Sequence, residues 1–176
     1  RNRPAQIEEG LDVTKLMADR IRKLVLDILY YSKDRDLEIE EVEVWRFAKD
    51  VAVHMERRIK AANIEFISDL ASDCGSFAVD PEIIRTALTN ILENAMEACI
   101  EDARDIPHWI RFATRADAAN VYFEISDNGP GMDKEMASKI FQLFSSSKGK
   151  RGTGIGLFVT RKVILKHGGT ITVDSS

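Results

Sequence analysis

Residues 126–132, Ser-Asp-Asn-Gly-Pro-Gly-Met, follow a segment in which Val121, Phe123 and Ile125 alternate with more polar residues. This alternation predicts a strand with one apolar face. A Gly-Pro-Gly sequence after a strand is often only a tight turn. The other interpretation is a binding site, in which Asp127 accepts a hydrogen bond from an exocyclic amine such as that of adenine. The glycines would then let the backbone approach a flat base.

A second glycine-rich stretch precedes a helix with an apolar period. Residues 145–157 read Ser-Ser-Ser-Lys-Gly-Lys-Arg-Gly-Thr-Gly-Ile-Gly-Leu. Amides at a helix N-terminus can bind phosphate, and the basic residues before them could neutralise a polyphosphate. The spacing matches neither a P-loop nor a Rossmann fingerprint. A mobile surface loop would explain the polarity but not three alternate glycines, so the stretch favours phosphate binding.

A helix with an unusual polar face is predicted to begin at Asp80-Pro81-Glu82 and to run to about Asp102, because an acidic N-cap is followed by proline at the first helical position. Four polar residues recur at spacings of 4, 3 and 4 and share one face: Asn90, Asn94, Glu97 and Glu101. A solvated surface explains the glutamates, but asparagine within a helix costs up to ~0.7 kcal/mol relative to alanine. Two carboxamides one turn apart could hold Mg²⁺ together with phosphates.

The remaining patterns predict an α+β fold. Strands are expected at 37–43, 63–68, 76–79, 109–114, 121–126 and 170–174, with further helices at 44–62, 134–141 and 156–167. This order suggests a two-layer α/β sandwich, in which helices cover one face of a mixed, mostly antiparallel sheet.

The N-terminal residues 4–34 are predicted to form one long helix. Its apolar positions are spaced 4, 3, 4 and 3, which is the coiled-coil repeat: Met17, Ile21, Leu24, Ile28 and Tyr31. Such a helix could pack on its own domain, or it could be half of a helical hairpin in a dimeric bundle. The second interpretation divides the chain into a truncated hairpin helix (1–34) and a second domain (35–176).

Composition excludes several classes of protein. The 176 residues include 25 Lys and Arg against 29 Asp and Glu, so a strongly basic nucleic-acid-binding face is not indicated. The sequence contains no apolar run that could cross a bilayer and no signal peptide. We therefore expect no nucleic acid and no membrane contact for this chain. A cytoplasmic location is expected, although the parent protein could carry an inner-membrane anchor.

Together, these motifs resemble the nucleotide-binding domain shared by sensor histidine kinases, type II topoisomerases, Hsp90-type chaperones and mismatch-repair ATPases. Residues 90–97 resemble its N box, 127–131 its G1 box and 152–157 its G2 box, while 140–144 with 146–148 are similar to the F box of histidine kinases. The resemblance covers about residues 37–174 and is closest to kinases of the nitrogen-regulator type. Residues 16–33 also resemble the second helix of the family's dimerisation and phosphoacceptor hairpin.

The resemblance implies a sensor histidine kinase domain with ATP and Mg²⁺ as cofactors. The domain would transfer the γ-phosphate to a histidine on the dimerisation hairpin of a homodimer, for relay to an aspartate of a response regulator. Asp127 would bind the adenine amine, and Asn90 and Asn94 would hold Mg²⁺. The implied ATP-binding residues are Asn90, Asn94, Glu97, Asp127, Gly129, Gly131, Met132, Lys148, Gly152, Thr153, Gly154, Ile155, Gly156 and Leu157.

Two departures from the family pattern limit the activity expected of this chain. Hydrolytic members carry a glutamate four residues before the Mg²⁺-binding asparagine, where this chain has Asn90; Glu93 is a possible substitute base. His54, His108 and His167 lie outside any phosphoacceptor motif, so the acceptor is expected upstream of Arg1 and the chain should not phosphorylate itself. The family's last hairpin strand would follow Ser176. The alternatives are a hydrolytic ATPase, a serine kinase of the anti-sigma type, or a dimerisation module with a vestigial nucleotide site.

Overall fold

The computed structural model describes residues 10, 11, 14, 17, 18, 36–143 and 154–175. Their elements in chain order are β1 (Glu40–Glu43), α1 (Val44–Ala61), β2 (Glu65–Leu70), β3 (Ser76–Val79), α2 (Pro81–Glu101), β4 (Trp109–Ala116), β5 (Val121–Asp127), α3 (Lys134–Lys139) and α4 (Gly156–Lys166). None of these described helices has both the length and the apolar character that crossing a membrane requires.

The five strands pair as two hydrogen-bonded groups among the described residues. β1 pairs antiparallel with β3, whereas β4 lies between a parallel β2 and an antiparallel β5. The mixed, mostly antiparallel arrangement agrees with the predicted fold class. The two groups meet through aromatic side chains, since the ring of Phe77 on β3 lies 5.6 Å from that of Phe123 on β5 and 5.6 Å from that of Phe47 on α1.

The hydrophobic core lies between the helices and the strands. Apolar residues recur every three or four positions along α1 and α2, as expected for helices that pack on one side. These and the central strand β4 supply most of the buried side chains: Phe47, Val51, Met55 and Ile59 from α1, Leu88, Leu92 and Ala95 from α2, and Ile110 and Phe112 from β4. Helix α2 thus has a buried apolar face, and its polar residues lie on the remaining sides.

Asp80 joins three parts of the fold at the start of α2. One carboxylate oxygen accepts from the Ile83 amide (3.2 Å), which caps the helix, and the other accepts from the Glu38 amide (3.2 Å). The Asp80 amide donates to Nε2 of His167, just beyond α4 (3.1 Å). Because the residue is only 3% exposed, these bonds form out of water. His167 is therefore part of the framework, as its position at a helix end suggested.

The C-terminal segment differs from the sequence prediction. Residues 170–174 alternate like a strand, but they form no strand in the structure. A strand is defined by its hydrogen-bonded neighbour, and none of the five described strands pairs with this segment. The helix predicted at 134–141 is shorter and ends at Lys139.

The N-terminal region is described at only five positions, and each of them is helical. The Thr14 hydroxyl donates to the Gly10 carbonyl (2.7 Å), as in an ordinary helical turn. Of the predicted coiled-coil positions, Met17 is among the five and is 42% exposed. The other four, Ile21, Leu24, Ile28 and Tyr31, lie outside the described residues.

We expect Asp80→Ala to lower the free energy of unfolding by about 2 kcal/mol, because it removes a buried helix cap and leaves the Glu38 amide without its acceptor. Asp133→Ala is the matched control, since Asp133 caps the short, exposed helix α3 through the Met136 amide (2.7 Å). Its cost should stay below about 1 kcal/mol. Urea unfolding followed by circular dichroism measures both, and equal losses would contradict the role of Asp80.

Candidate functional site

The polar face of α2 contacts the N-terminal end of α4. The Asn90 side-chain amide donates to Oγ1 of Thr160 on α4 (2.9 Å), and Thr160 is itself buried. A Cβ added at Gly156 would lie 2.8 Å from both Oδ1 and Nδ2 of Asn90. A larger residue at position 156 would therefore require the Asn90 carboxamide or α4 to move, which would disturb the hydrogen bond between Asn90 and Thr160. Glycine lets the first turn of α4 sit directly on the asparagine.

The N-terminal turn of α4 presents backbone amides beside this face. The side chain of the N-cap residue Ile155 makes no capping hydrogen bond, so the first turn of α4 is defined by its backbone amides. Gly154 has φ +63°, a backbone conformation that suits glycine, and the following Ile155 is buried. Three of the predicted phosphate-binding residues, Lys148, Gly152 and Thr153, lie outside the described residues.

The carboxamides of Asn90 and Asn94 are suitable for a hard cation. Asn94 Nδ2 donates to the Asn90 carbonyl (2.8 Å), and Asn90 Nδ2 donates to Thr160. Both side-chain nitrogens therefore donate hydrogen bonds within the protein, and within the described part of the chain neither Oδ1 accepts one. Mg²⁺ prefers such oxygen ligands and keeps several of its waters. Glu97, one turn further along, is exposed.

Asp127 lies at the end of β5 on a loop that touches the far end of α2. One carboxylate oxygen accepts from the Gly129 amide (2.9 Å). A Cβ at Gly129 would lie 2.8 Å from that oxygen and 3.2 Å from the Ala98 side chain. The Asp127 side chain is exposed, so its other oxygen can accept from a ligand. We call residues 127–131 the adenine loop, because the predicted adenine contact lies there.

The rest of the adenine loop is also fixed. Gly131 has φ +69°, which a residue with a side chain rarely adopts. The amide of the following Met132 donates to the Ser175 hydroxyl (2.8 Å), so the C-terminal segment supports the loop.

Two residues that support this loop were missed by the sequence analysis. Asn128 accepts from the Trp109 amide (2.8 Å) and donates to the Pro107 carbonyl (2.9 Å), which ties the loop to the start of β4. Arg104 donates to the carbonyls of Asn128 and Gly129. Asparagine beside glycine is a recognisable turn signal, but nothing in the sequence around Arg104 indicates a contact 24 residues away.

The predicted substitute base, Glu93, is already paired. Glu93 forms an ion pair with Arg58 of α1 (2.6 Å), and its side chain is 22% exposed. A carboxylate beside a guanidinium is a weaker base than a free one. The predicted substitute base is therefore held by α1.

Cys99 lies on α2 close to the adenine loop. Burial, followed by the nearby carboxylates of Asp127 and Asp102, raises the pKa of its thiol to about 11. The thiol thus stays protonated near neutral pH. Cys99 is thus a buried, free cysteine and is not suited to act as a nucleophile.

A cavity of about 290 Å³ lies elsewhere, where β1 meets α1 and the first turn of α2. Its lining mixes glutamates from β1 with Arg46 and Arg85. It contains none of the predicted nucleotide-binding residues.

Comparison with known proteins identifies the family. The model of the family described as "Histidine kinase-, DNA gyrase B-, and HSP90-like ATPase" matches residues 79–176. The signal transduction histidine-protein kinase AtoS of Escherichia coli (strain K12) is 30% identical over 96% of this chain and 27% of its own length. The adaptive-response sensory kinase SasA of Crocosphaera subtropica (strain ATCC 51142 / BH68) is 30% identical over 88% of this chain and 41% of its own. The chain thus spans less than half the length of these relatives.

The similar solved structures are also histidine kinases. The nucleotide-free catalytic domain of histidine kinase ThkA is 28% identical, with a TM-score of 0.63 over 73% of this chain and 82% of that one. Histidine kinase ThkA in complex with the response regulator protein TrrA is 26% identical, with a TM-score of 0.75 over 93% of this chain and 45% of that one. This chain belongs to the histidine kinase-, DNA gyrase B- and HSP90-like ATPase family, in which it is a catalytic ATP-binding domain of the histidine kinase type.

Proposed function

We propose that this domain binds Mg·ATP along α2 and donates the γ-phosphate to a histidine of a dimerisation hairpin, for relay to a response-regulator aspartate. One observation carries the proposal: α2 touches both halves of the predicted site. Gly129 of the adenine loop packs on Ala98, and Gly156 of α4 packs on Asn90. Eight helical residues separate these contacts by about 12 Å, so one rigid helix spaces the base-binding end from the phosphate-binding end.

At the base end, the proposal assigns adenine recognition to the exposed oxygen of Asp127. The carboxylate is held by the Gly129 amide and would accept from the exocyclic amine. Gly129 and Gly131 shape the loop, and Met132 adds an apolar contact beside it. A site built to accept one amine hydrogen discriminates strongly against a base that lacks it.

At the phosphate end, the proposal assigns charge neutralisation to several groups at once. The α4 amides at Gly154, Ile155, Gly156 and Leu157 would face the phosphates. Lys148, Gly152 and Thr153 would close over them. Asn90 and Asn94 would offer their Oδ1 atoms to Mg²⁺, with Glu97 at the edge. Bound Mg²⁺ would neutralise phosphate charge, and positioning and charge neutralisation are most of what phosphoryl transfer requires.

The chain is proposed to contain two functional parts. Residues 1–34 are assigned to the C-terminal helix of a dimerisation hairpin and residues 35–176 to the catalytic domain. The helical state of the five described N-terminal positions supports this assignment. A homodimer through the N-terminal helix and a response-regulator receiver domain are the proposed partners. The complex of the related ThkA with TrrA supports the second.

The first test is ATP binding by calorimetry. Asp127→Ala should weaken ATP binding by at least tenfold, because it removes the acceptor of the adenine amine. Asp69→Ala is the matched control, since Asp69 is an exposed carboxylate on β2 that pairs with Arg111 and lies in none of the predicted motifs. The control should bind ATP like the unmodified chain. Equal affinity in both variants would show that adenine binds elsewhere.

The second test separates the metal from the nucleotide. Asn94→Ala should weaken binding of Mg·ATP several-fold and leave binding of ATP in EDTA nearly unchanged, because it removes one metal-facing oxygen. Asn94 is preferable to Asn90, whose side chain also holds α4 through Thr160. If the variant weakened both forms of ATP equally, Asn94 would be a general contact rather than a metal ligand.

The third test concerns the phosphate acceptor. With [γ-³²P]ATP, the chain alone should remain unlabelled, because His167 is engaged at both ring nitrogens and neither His54 nor His108 lies in an acceptor motif. The parent protein's histidine-bearing hairpin, supplied in trans, should acquire an acid-labile, base-stable label. Steady phosphate release that is lost in Glu93→Ala would instead indicate a hydrolytic ATPase. Acid-stable label on a partner protein would indicate a serine kinase.

A further inference from the structure

One arginine reaches from the end of α2 to the backbone of the adenine loop. The Nη2 atom of Arg104 donates to the carbonyl of Asn128 (2.8 Å) and to the carbonyl of Gly129 (2.6 Å). These two residues directly follow Asp127, the proposed adenine acceptor. Hydrogen bonds from a charged donor are among the stronger ones in proteins. Arg104 thus restrains the peptide units that determine where the Asp127 side chain points.

Arg104 is itself held in place by Asp102. The guanidinium Nε lies 3.0 Å from Oδ1 and 2.8 Å from Oδ2 of Asp102, and the Arg104 amide also donates to Oδ1 (3.0 Å). The Asp102 side chain is 3% exposed, whereas that of Arg104 is 52% exposed. The hydrogen bonds from Arg104 lower the pKa of Asp102 to about 2, so the carboxylate remains ionised at any ordinary pH. The buried carboxylate therefore anchors the exposed guanidinium.

The contact completes a chain of restraints on Gly129. The amide of Gly129 donates to Asp127 (2.9 Å), and its carbonyl accepts from Arg104. A glycine has more backbone freedom than any other residue and loses more entropy when it is fixed. Fixing it before the ligand arrives removes that cost from binding. Without the arginine, the carbonyls of Asn128 and Gly129 would lose this restraint, and more of the ordering of the loop would fall to the nucleotide.

We propose that Arg104 is a positioning residue for adenine recognition, which holds the Asp127 carboxylate in its binding geometry through the Asn128 and Gly129 carbonyls. The proposal rests on the proposed function, since it concerns the same nucleotide site. It assigns to Arg104 a role in base discrimination, in addition to any stability that its ion pair with the buried Asp102 carboxylate contributes.

The test compares two nucleotides that differ only in the exocyclic amine. ATP and purine riboside triphosphate are titrated calorimetrically, with Mg²⁺, into the unmodified chain and into Arg104→Ala. We expect the Kd for ATP to rise about fivefold to tenfold, as for the loss of one or two hydrogen bonds. The Kd for purine riboside triphosphate, which cannot use Asp127 in the same way, should change by less than twofold. Discrimination between the two nucleotides should therefore fall.

Arg111→Ala is the matched control. Arg111 lies on β4, pairs with Asp69, and has a side chain 41% exposed. It should change neither Kd, and the titrations are made at a temperature at which circular dichroism shows both variants to be folded. Arg104→Lys keeps the charge but not the rigid fork of donors, so its loss of ATP affinity should be intermediate. If Arg104→Ala does not fold, Arg104→Lys is used for the same comparison of the two nucleotides.

A double-mutant cycle tests the anchoring by Asp102. Asp102→Asn alone should weaken ATP binding, and added to Arg104→Ala it should cause no further loss. The role of Arg104 is overturned if Arg104→Ala binds ATP within twofold of the unmodified chain, or if both nucleotides weaken equally. Full affinity in Arg104→Lys would show that only the charge matters. Failure of the unmodified chain to bind ATP would overturn the proposed function as well.

Discussion

The close approach of α4 to α2 at Gly156 is the constraint on which the rest of the site depends. A Cβ at that position would collide with both ends of the Asn90 carboxamide, and the Asn90–Thr160 hydrogen bond fixes the two helices at this distance. Because Gly156 has no side chain to keep the helices apart, the backbone amides of α4 lie directly beside the polar face of α2. The proposed phosphate-binding end of the site therefore lies where α2 and α4 pack against each other.

Helix α2 also positions the proposed adenine-binding end of the site through a close contact with a glycine. Gly129 packs against Ala98 with no room for a side chain, so the adenine loop lies on α2 as closely as α4 does. Both close approaches use glycine, and both lie on a helix whose opposite face is part of the hydrophobic core. The spacing within the proposed nucleotide site is therefore determined by the packing of α2 in the core.

Sequence patterns predicted the features that are local. The cap at Asp80, the start of α1 at Val44 and the alternation of β5 follow from neighbouring residues. The glycines of the two boxes were recognisable for the same reason. Features that depend on distant partners were not predictable: residues 170–174 alternate as a strand should, yet no described strand pairs with them. The contact from Arg104 to the adenine loop was likewise not predictable, because no sequence pattern in either segment points to the other.

Asparagine at position 90 affects both the packing of α4 on α2 and the reaction that the proposed site would favour. The family resemblance implies that hydrolytic members carry a water-activating glutamate at this position, whereas here an asparagine donates a hydrogen bond to Thr160. A glutamate would be one methylene longer at a point where Gly156 is already in contact, and its carboxylate could not donate that bond. Glu93 is also held by Arg58, so neither position 90 nor position 93 offers an unpaired carboxylate as a base. That arrangement favours transfer of the phosphate to another protein group over its transfer to water.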